Sequence, residues 1–276
     1  MDLLITKLDG TSTSLSSIGL QVIGIKETSP SIERIAKSFD GRNGSLDYGG
    51  RHVDKQLMVS AMYGATSMSE DSKIENSING LTSQIEPFYI TKFLNDGSMY
   101  NFERPGGVTG DLNFANGSED YKRYKVYRSD TDSPEFKGKI GDKLISTIDL
   151  EFITVGLPYG ESKPRSQSLS SGQSIAYNGN IACSQLEQSF YFVVTAKESS
   201  ANGFTLMVDN QSLIVTSPVV AGDVYTLSGM NNTRGNQNIN DKTNAGYFVL
   251  RPNAANKVTC SIGADIKINN LCDLYI

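Results

Sequence analysis

The sequence predicts a mainly β protein of two domains with a single amphipathic helix. Three observations carry that expectation. Apolar residues recur with period two through most of the chain and with a helical period in one segment only. Turn formers are dense, with 26 Gly against 8 Pro. The charge is also divided: of the net −5 over 276 residues, none falls in 161–276, where eight basic and eight acidic residues cancel.

In the first part, stretches 20–26, 56–62 and 87–93 read as strands. In 145–152, Ile148, Leu150 and Phe152 share one face, while Thr147, Asp149 and Glu151 share the other, the pattern of a half-buried strand. Asp40-Gly41-Arg42-Asn43-Gly44 is a turn, because Asn-Gly adopts the positive φ that tight hairpins require. A helix is expected over 70–85. Ser69 caps it, Glu70 and Asp71 occupy its first turn, Ile74, Ile78, Leu81 and Ile85 line one face, and Pro87 stops it.

The polar stretch Glu161-Ser162-Lys163-Pro164-Arg165-Ser166-Gln167-Ser168 reads as a linker and sets the domains at 1–160 and 161–276. Beyond it, short strands at 190–196, 204–208, 212–216, 224–227, 246–250, 257–262 and 265–268, spaced by polar turns, indicate an all-β sandwich. The run 231–240 offers little to bury and reads as a long exposed loop.

Several functions are excluded. No run approaches the roughly 18 apolar residues of a membrane helix, so no membrane insertion is expected. Met1-Asp2-Leu3-Leu4-Ile5-Thr6-Lys7 lacks a basic lead and long apolar stretch, so no signal peptide is expected and synthesis falls in a reducing cytoplasm. Cys183, Cys260 and Cys272 show no zinc spacing and read as small apolar side chains. His52 is the one histidine, and no nucleophile or phosphate-loop motif is present. The chain is expected to be no enzyme and to hold no cofactor or metal.

Three constellations need weighing. Asp149 and Glu151 lie roughly 6.5–7 Å apart on one strand face, near glycosidase spacing, yet no Trp exists to line a sugar pocket. They read better as a solvated or subunit-facing side. Asp130-Thr131-Asp132-Ser133-Pro134-Glu135 has the oxygen density of a calcium loop without its spacing, and reads as a solvated acidic loop. Tyr121-Lys122-Arg123-Tyr124-Lys125-Val126-Tyr127-Arg128 interleaves cations with aromatics as single-strand binders do, but Glu119, Asp120, Asp130 and Asp132 cancel its charge. A protein interface explains it better, and no sequence-specific nucleic-acid binding is expected.

Residue order adds a resemblance. A strand ending at Gly24-Ile25 is followed by Phe39-Asp40-Gly41-Arg42-Asn43-Gly44, then Leu46-Asp47-Tyr48-Gly49-Gly50. Next come Leu81-Thr82-Ser83-Gln84-Ile85, Pro87-Phe88-Tyr89-Ile90 and Tyr100 with Arg104-Pro105. The closing stretch is Asp149-Leu150-Glu151-Phe152-Ile153-Thr154-Val155-Gly156-Leu157-Pro158-Tyr159-Gly160-Glu161-Ser162. In this order the first part resembles the N-terminal domain of distal tail (Dit) proteins of long-tailed phages of Gram-positive bacteria. The second part, through Ala221-Gly222-Asp223-Val224-Tyr225-Thr226 and Tyr247-Phe248-Val249-Leu250-Arg251-Pro252, resembles that family's galectin-like or carbohydrate-module-like sandwich more loosely. Where the family often has Pro-Gly, this chain reads Pro252-Asn253, a residue tolerant of left-handed turns.

The resemblance implies a virion protein made in the host cytoplasm. It implies a homo-hexameric ring, single or stacked in two, at the tail tip or baseplate. Such a ring joins the major tail tube protein to tail-associated or tail-fibre and receptor-binding proteins around a channel for DNA, and a hairpin arm belts the neighbouring subunit. The candidate subunit-interface residues are Asp40, Arg42, Asn43, Tyr48, Tyr121, Arg123, Tyr124, Tyr127 and Arg128. Asp149 and Glu151 are the candidate channel-facing acids, placed to repel DNA. The competing expectation is a carbohydrate-binding adhesion module, with Tyr177, Tyr191, Tyr225 and Tyr247 standing in for the absent Trp.

Overall fold

Strands with period-two burial build both halves of the chain. The computed structural model describes residues 1–41, 43–95 and 117–276. The chain divides into two compact units, Met1–Gly160 and Glu161–Ile276. Tyr100 and Arg104-Pro105 of the resemblance, and Arg42 of the candidate interface, lie outside the described residues.

In the first unit the strands are β1 (Asp2–Thr6), β2 (Ser12–Ser14), β3 (Gln21–Glu27), β4 (Ile32–Ser38), β5 (Ser45–His52) and β6 (Gln56–Ala65). After the helix α1 (Met68–Thr82) come β7 (Phe88–Asn95), β8 (Gly117–Arg128), β9 (Glu135–Ile140) and β10 (Lys143–Thr154). The main sheet is antiparallel, in the order β2-β1-β7-β8-β10-β6-β3, with β9 on β10 and with β4 and β5 paired apart from it. Alternate residues point to one core: Leu57, Val59 and Ala61 of β6, Ile148, Leu150 and Phe152 of β10, and Leu3, Ile5, Phe88, Ile90 and Val126. Phe88 and Phe152 meet edge-on with ring centres 6.0 Å apart. Ile78 is buried in this core, and Ile74 and Leu81 pack against it, which is why the helical stripe lies where it does.

The helix begins earlier than its sequence suggests. Ser67, not Ser69, is the cap: its hydroxyl accepts the Glu70 N–H at 3.2 Å, and the Glu70 carboxylate accepts the Thr66 N–H at 2.6 Å. It also ends earlier. Ser83 leaves the helical backbone at φ −91, ψ 57, and Ile85 is thereby left 96% exposed rather than on the buried stripe.

In the second unit, antiparallel strands run in the order Arg165–Leu169, Ala264–Leu271, Tyr191–Ala196, Val224–Leu227, Thr233–Arg234, Gln237–Asn238. A second sheet runs Gln211–Val215, Phe204–Val208, Val258–Cys260. Phe190, Phe192 and Phe248 form a chain of edge-on rings in its core, and Phe204 packs on Tyr225 at 4.9 Å. Two sequence expectations are corrected here. The stretch 161–168 is no free linker, because Arg165–Leu169 is an edge strand and Arg165 pairs with the buried Asp273 at 2.7 Å. The run 231–240 is exposed at six of its ten residues, but it is no plain loop, since Thr233–Arg234 and Gln237–Asn238 pair as short strands. Asn232 and Ile239 are buried, and the Asn232 side-chain oxygen accepts the N–H groups of Ser228 and Gly229, so an amide supplies the partners that a backbone would otherwise provide. At Pro252-Asn253 the turn forms with Asn253 at φ 58.

Candidate functional site, an exposed hairpin arm

The strands β4 and β5 form a two-stranded arm, with Ile32 opposite His52 and Ser38 opposite Ser45. Gly41 (φ 73) and Gly44 (φ 82) supply the left-handed backbone that closes its tip. Every residue of both strands is exposed except His52. Apolar side chains are among them, Ile32 at 70% and Tyr48 at 61%, with Ile35, Leu46 and Phe39 of the tip. Ion pairs Arg51–Glu33 (2.7 Å) and Arg34–Asp47 (3.6 Å) tie one strand to the other. Exposed pairs of this kind stabilise by about 0–1 kcal/mol, and an isolated two-stranded hairpin is marginal in water. An arm carrying apolar side chains without a core of its own is built to be covered.

The root of the arm is well tied. Ser31 N–H donates to Asp54 O at 2.7 Å, Val53 N–H to Ser31 O at 3.0 Å, and Thr28 N–H to Gln56 O at 3.0 Å. His52 Nδ1 lies 3.0 Å from the Tyr159 hydroxyl. The residues immediately outside the arm form a charge cluster. Glu27 Oε1 is 2.6 Å from Lys92 Nζ, and its Oε2 is 3.0 Å from Lys122 Nζ and 3.8 Å from Lys55 Nζ. Lys55 Nζ donates to the Tyr124 hydroxyl at 3.3 Å and lies 5.0 Å from the centre of that ring. Burial pushes the Glu27 carboxyl up, but hydrogen bonds from Lys92 and Lys122 outweigh it and bring the pKa down to about 2. Burial drives the Lys55 ammonium down; Glu27 opposes this, while Lys122 and Lys92 add to it. Burial also raises the Tyr124 phenol to about 12. Gly160 lies against the Tyr124 ring so closely that a Cβ there would stand 3.1 Å from it.

The sequence-predicted residues are distributed unevenly. Asp40, Asn43 and Tyr48 are exposed on the arm. Tyr121 is exposed on β8, Tyr127 is half-buried, and the half-buried Arg123 guanidinium stacks 3.8 Å from the centre of the Tyr89 ring. Tyr124 and Arg128 are corrections to the interface set. Tyr124 is buried in the core. The Arg128 side chain is 5% exposed and clamps the end of α1, donating to Asn79 (3.0 Å), Thr82 (3.2 Å), Asp130 (2.7 Å) and the Asp132 carbonyl (2.7 Å). The acidic stretch 130–135 is exposed except at Asp130 and Pro134, and the clamp accounts for Asp130. The Asp130 oxygens are engaged by Arg128 and by the N–H groups of Asp132 and Glu151.

Asp149 is exposed and accepts from the Ser60 hydroxyl at 2.5 Å, and Glu151 is half-buried beside it on β10. Of the tyrosines considered for sugar stacking, Tyr225 is fully buried and Tyr177 is bound to the backbone of Ile181 and Leu274. A shallow groove of about 440 Å³ in the second unit is lined by Ser168, Gln173, Val193, Thr195, Asp265 and Lys267, with no aromatic ring among its lining residues. Cys183 and Cys272 are buried and in no disulfide, and burial pushes Cys183 up to about 12.

Sequence reasoning missed Glu27, Lys55, Lys92 and Lys122. They come from four separate stretches of chain, and the one available signal is that Glu27 and Lys55 flank the arm.

No family model and no curated protein matches this sequence. Among solved structures, the chain is similar to the SPP1 Dit (gp 19.1) protein, described as a paradigm of the hub adsorption apparatus in Gram-positive infecting phages. The TM-score is 0.63 at 13% identity, over 99% of both chains. Two structures of the phage P2 baseplate in its activated conformation, with Ca and with Sr, match at TM-score 0.38 and 8% identity over 100% of this chain and 99% of theirs. The chain therefore has a mainly β, Dit-like fold along its whole length.

Proposed function

We propose that this chain is a structural hub subunit of a long-tailed phage tail tip, infecting a Gram-positive host, with no catalytic role. The observation that carries the reading is the arm: two fully exposed strands with apolar side chains, on a fold shared end to end with an adsorption-apparatus hub. A neighbouring copy covers the arm of each subunit, and six copies close a ring, single or stacked in two. Such contacts are heterologous, so arm and receiving surface differ and closure depends on their angle. Asp40, Asn43, Tyr48, Tyr121 and Tyr127 are exposed or half-exposed in this unit and belong to that interface. Tail tube above and tail-fibre or receptor-binding proteins below are its partners in the virion.

The first unit holds the whole net charge of −5. Six copies line a channel with a negative wall that repels the DNA backbone, Asp149 and Glu151 among its acids. Size-exclusion chromatography with light scattering and negative-stain imaging tests this. Six chains of 30.0 kDa give about 180 kDa with an open centre. A 30.0 kDa species at all concentrations would count against self-assembly. The saccharide-binding alternative is less supported, since the groove of the second unit lacks the rings on which pyranoses stack.

A further inference from the structure

Three lysines converge on one carboxylate at the root of the arm. From this we infer that Lys55, Lys92 and Lys122 form a binding site for one oxyanion group, a carboxylate or a phosphate, beside Glu27. The charge is unbalanced: Glu27 is the acid that acts on Lys55, and Lys92 and Lys122 are the cations that do. Lys55 is the decisive residue. Its side chain is 3% exposed, and it stands 3.8 Å from Glu27 Oε2, beyond hydrogen-bond length. Its hydrogen bond to the Tyr124 hydroxyl is long, at 3.3 Å, and its remaining acceptor contact is the weaker one with Glu27. An ammonium has three donors, and burying them without acceptors is unfavourable. Glu27 stands nearer to Lys92 and Lys122, at 2.6 and 3.0 Å, than to Lys55.

The Lys92 and Lys122 side chains remain 20% and 15% exposed, so both reach solvent from an otherwise enclosed cluster. A second anion there accepts charge-assisted hydrogen bonds from donors already held in place by Glu27 and the Tyr124 ring. The chemistry has two sources, a free phosphate or a carboxylate from an adjoining copy. The second rests on the assembly reading above and the first does not.

The test is thermal unfolding of the full chain at pH 7, with inorganic phosphate replacing chloride at constant ionic strength. Any larger species is separated and titrated alongside the monomer. A free-anion site gives a saturable rise in Tm. Its half-saturating concentration increases about tenfold or more in Lys92→Gln and Lys122→Gln and is unchanged in Lys137→Gln, a surface control. The lysine side-chain nitrogen signals in wild-type protein provide a readout that needs no variant, and Lys55 is expected to shift on phosphate addition.

A neighbour's carboxylate gives a different pattern. Phosphate dissociates the assembled species, and both Gln variants remain monomeric while folded by circular dichroism. A monomer whose Tm and Lys55 signal ignore phosphate, together with an assembly that ignores both phosphate and the Gln substitutions, overturns the site. A chain that never assembles but binds phosphate through these lysines refutes the hub reading alone.

Discussion

Glu27 and Lys55 stand immediately before and after the hairpin arm in sequence and face each other across its root, Oε2 to Nζ 3.8 Å. The pair is unequal, because Glu27 serves three cations and Lys55 is one of three. Removing the acid therefore leaves several enclosed cations uncompensated, whereas removing Lys55 relieves an excess. Glu27→Gln is expected to lower stability by about 3 kcal/mol, and Lys55→Met to change it little or raise it by about 1 kcal/mol. Urea unfolding of the two variants measures both; a larger loss for Lys55→Met contradicts the unequal roles.

The same carboxylate sets part of the acid limit. Its pKa is about 2 in the folded chain against 4.5 when unperturbed. A depressed carboxylate contributes stability that is complete above the unfolded value and is lost as pH falls through the folded one. Stability is therefore expected to fall between pH 4.5 and about 2. Asp130 is lowered as well, so the useful quantity is the difference between wild type and Glu27→Gln. That difference shrinks across this window and is flat above it.

Gly160 tests the backing of the cluster. A Cβ on it would lie 3.1 Å from two carbons of the Tyr124 ring, so the buried ring would have to yield to admit it. Gly160→Ala is expected to destabilise the first unit by about 1–2 kcal/mol through overpacking. Tyr124→Leu in the same chain recovers part of that loss in a double-mutant cycle, and purely additive effects would rule out the contact.

Arm and clamp separate assembly from stability. Ile32→Ser and Tyr48→Ser alter exposed side chains and are expected to leave monomer unfolding within about 0.5 kcal/mol while lowering the assembled fraction. Arg128→Ala does the reverse. It leaves the Asp130 carboxylate, 7% exposed, without its cation, and is expected to cost about 3–4 kcal/mol. Light scattering and urea midpoints on the same samples distinguish the two classes.

Strand periodicity was the most legible part of the sequence. Alternation over Ile148, Leu150 and Phe152 marks β10, because a sheet with one buried face imposes that alternation on its residues. The helix was legible in kind but not in its ends. Ser67 and Ser69 are equally able to cap, and only the Glu70 contacts choose between them; the apolar period runs on to Ile85 although the backbone has already left the helix at Ser83. The run around Asn232 misleads by composition, because a buried side-chain amide acts there as backbone. Arg128 reads as an interface cation until Asp130 and α1 are brought beside it. The lysine cluster was illegible for a simpler reason: Glu27, Lys55, Lys92 and Lys122 meet through tertiary contacts that no local spacing encodes.

The arm also has a mechanical meaning. Its two strands run directly into β3 and β6, which lie side by side, and β6 is paired with β10 over ten residues from Gln56–Ile153 to Ala65–Leu144. A tug on the arm along the strand axis therefore loads the β6–β10 ladder in shear, straining its rungs together instead of peeling them one after another. Force arriving at an exposed arm is delivered to the longest continuous strand pairing among the described residues.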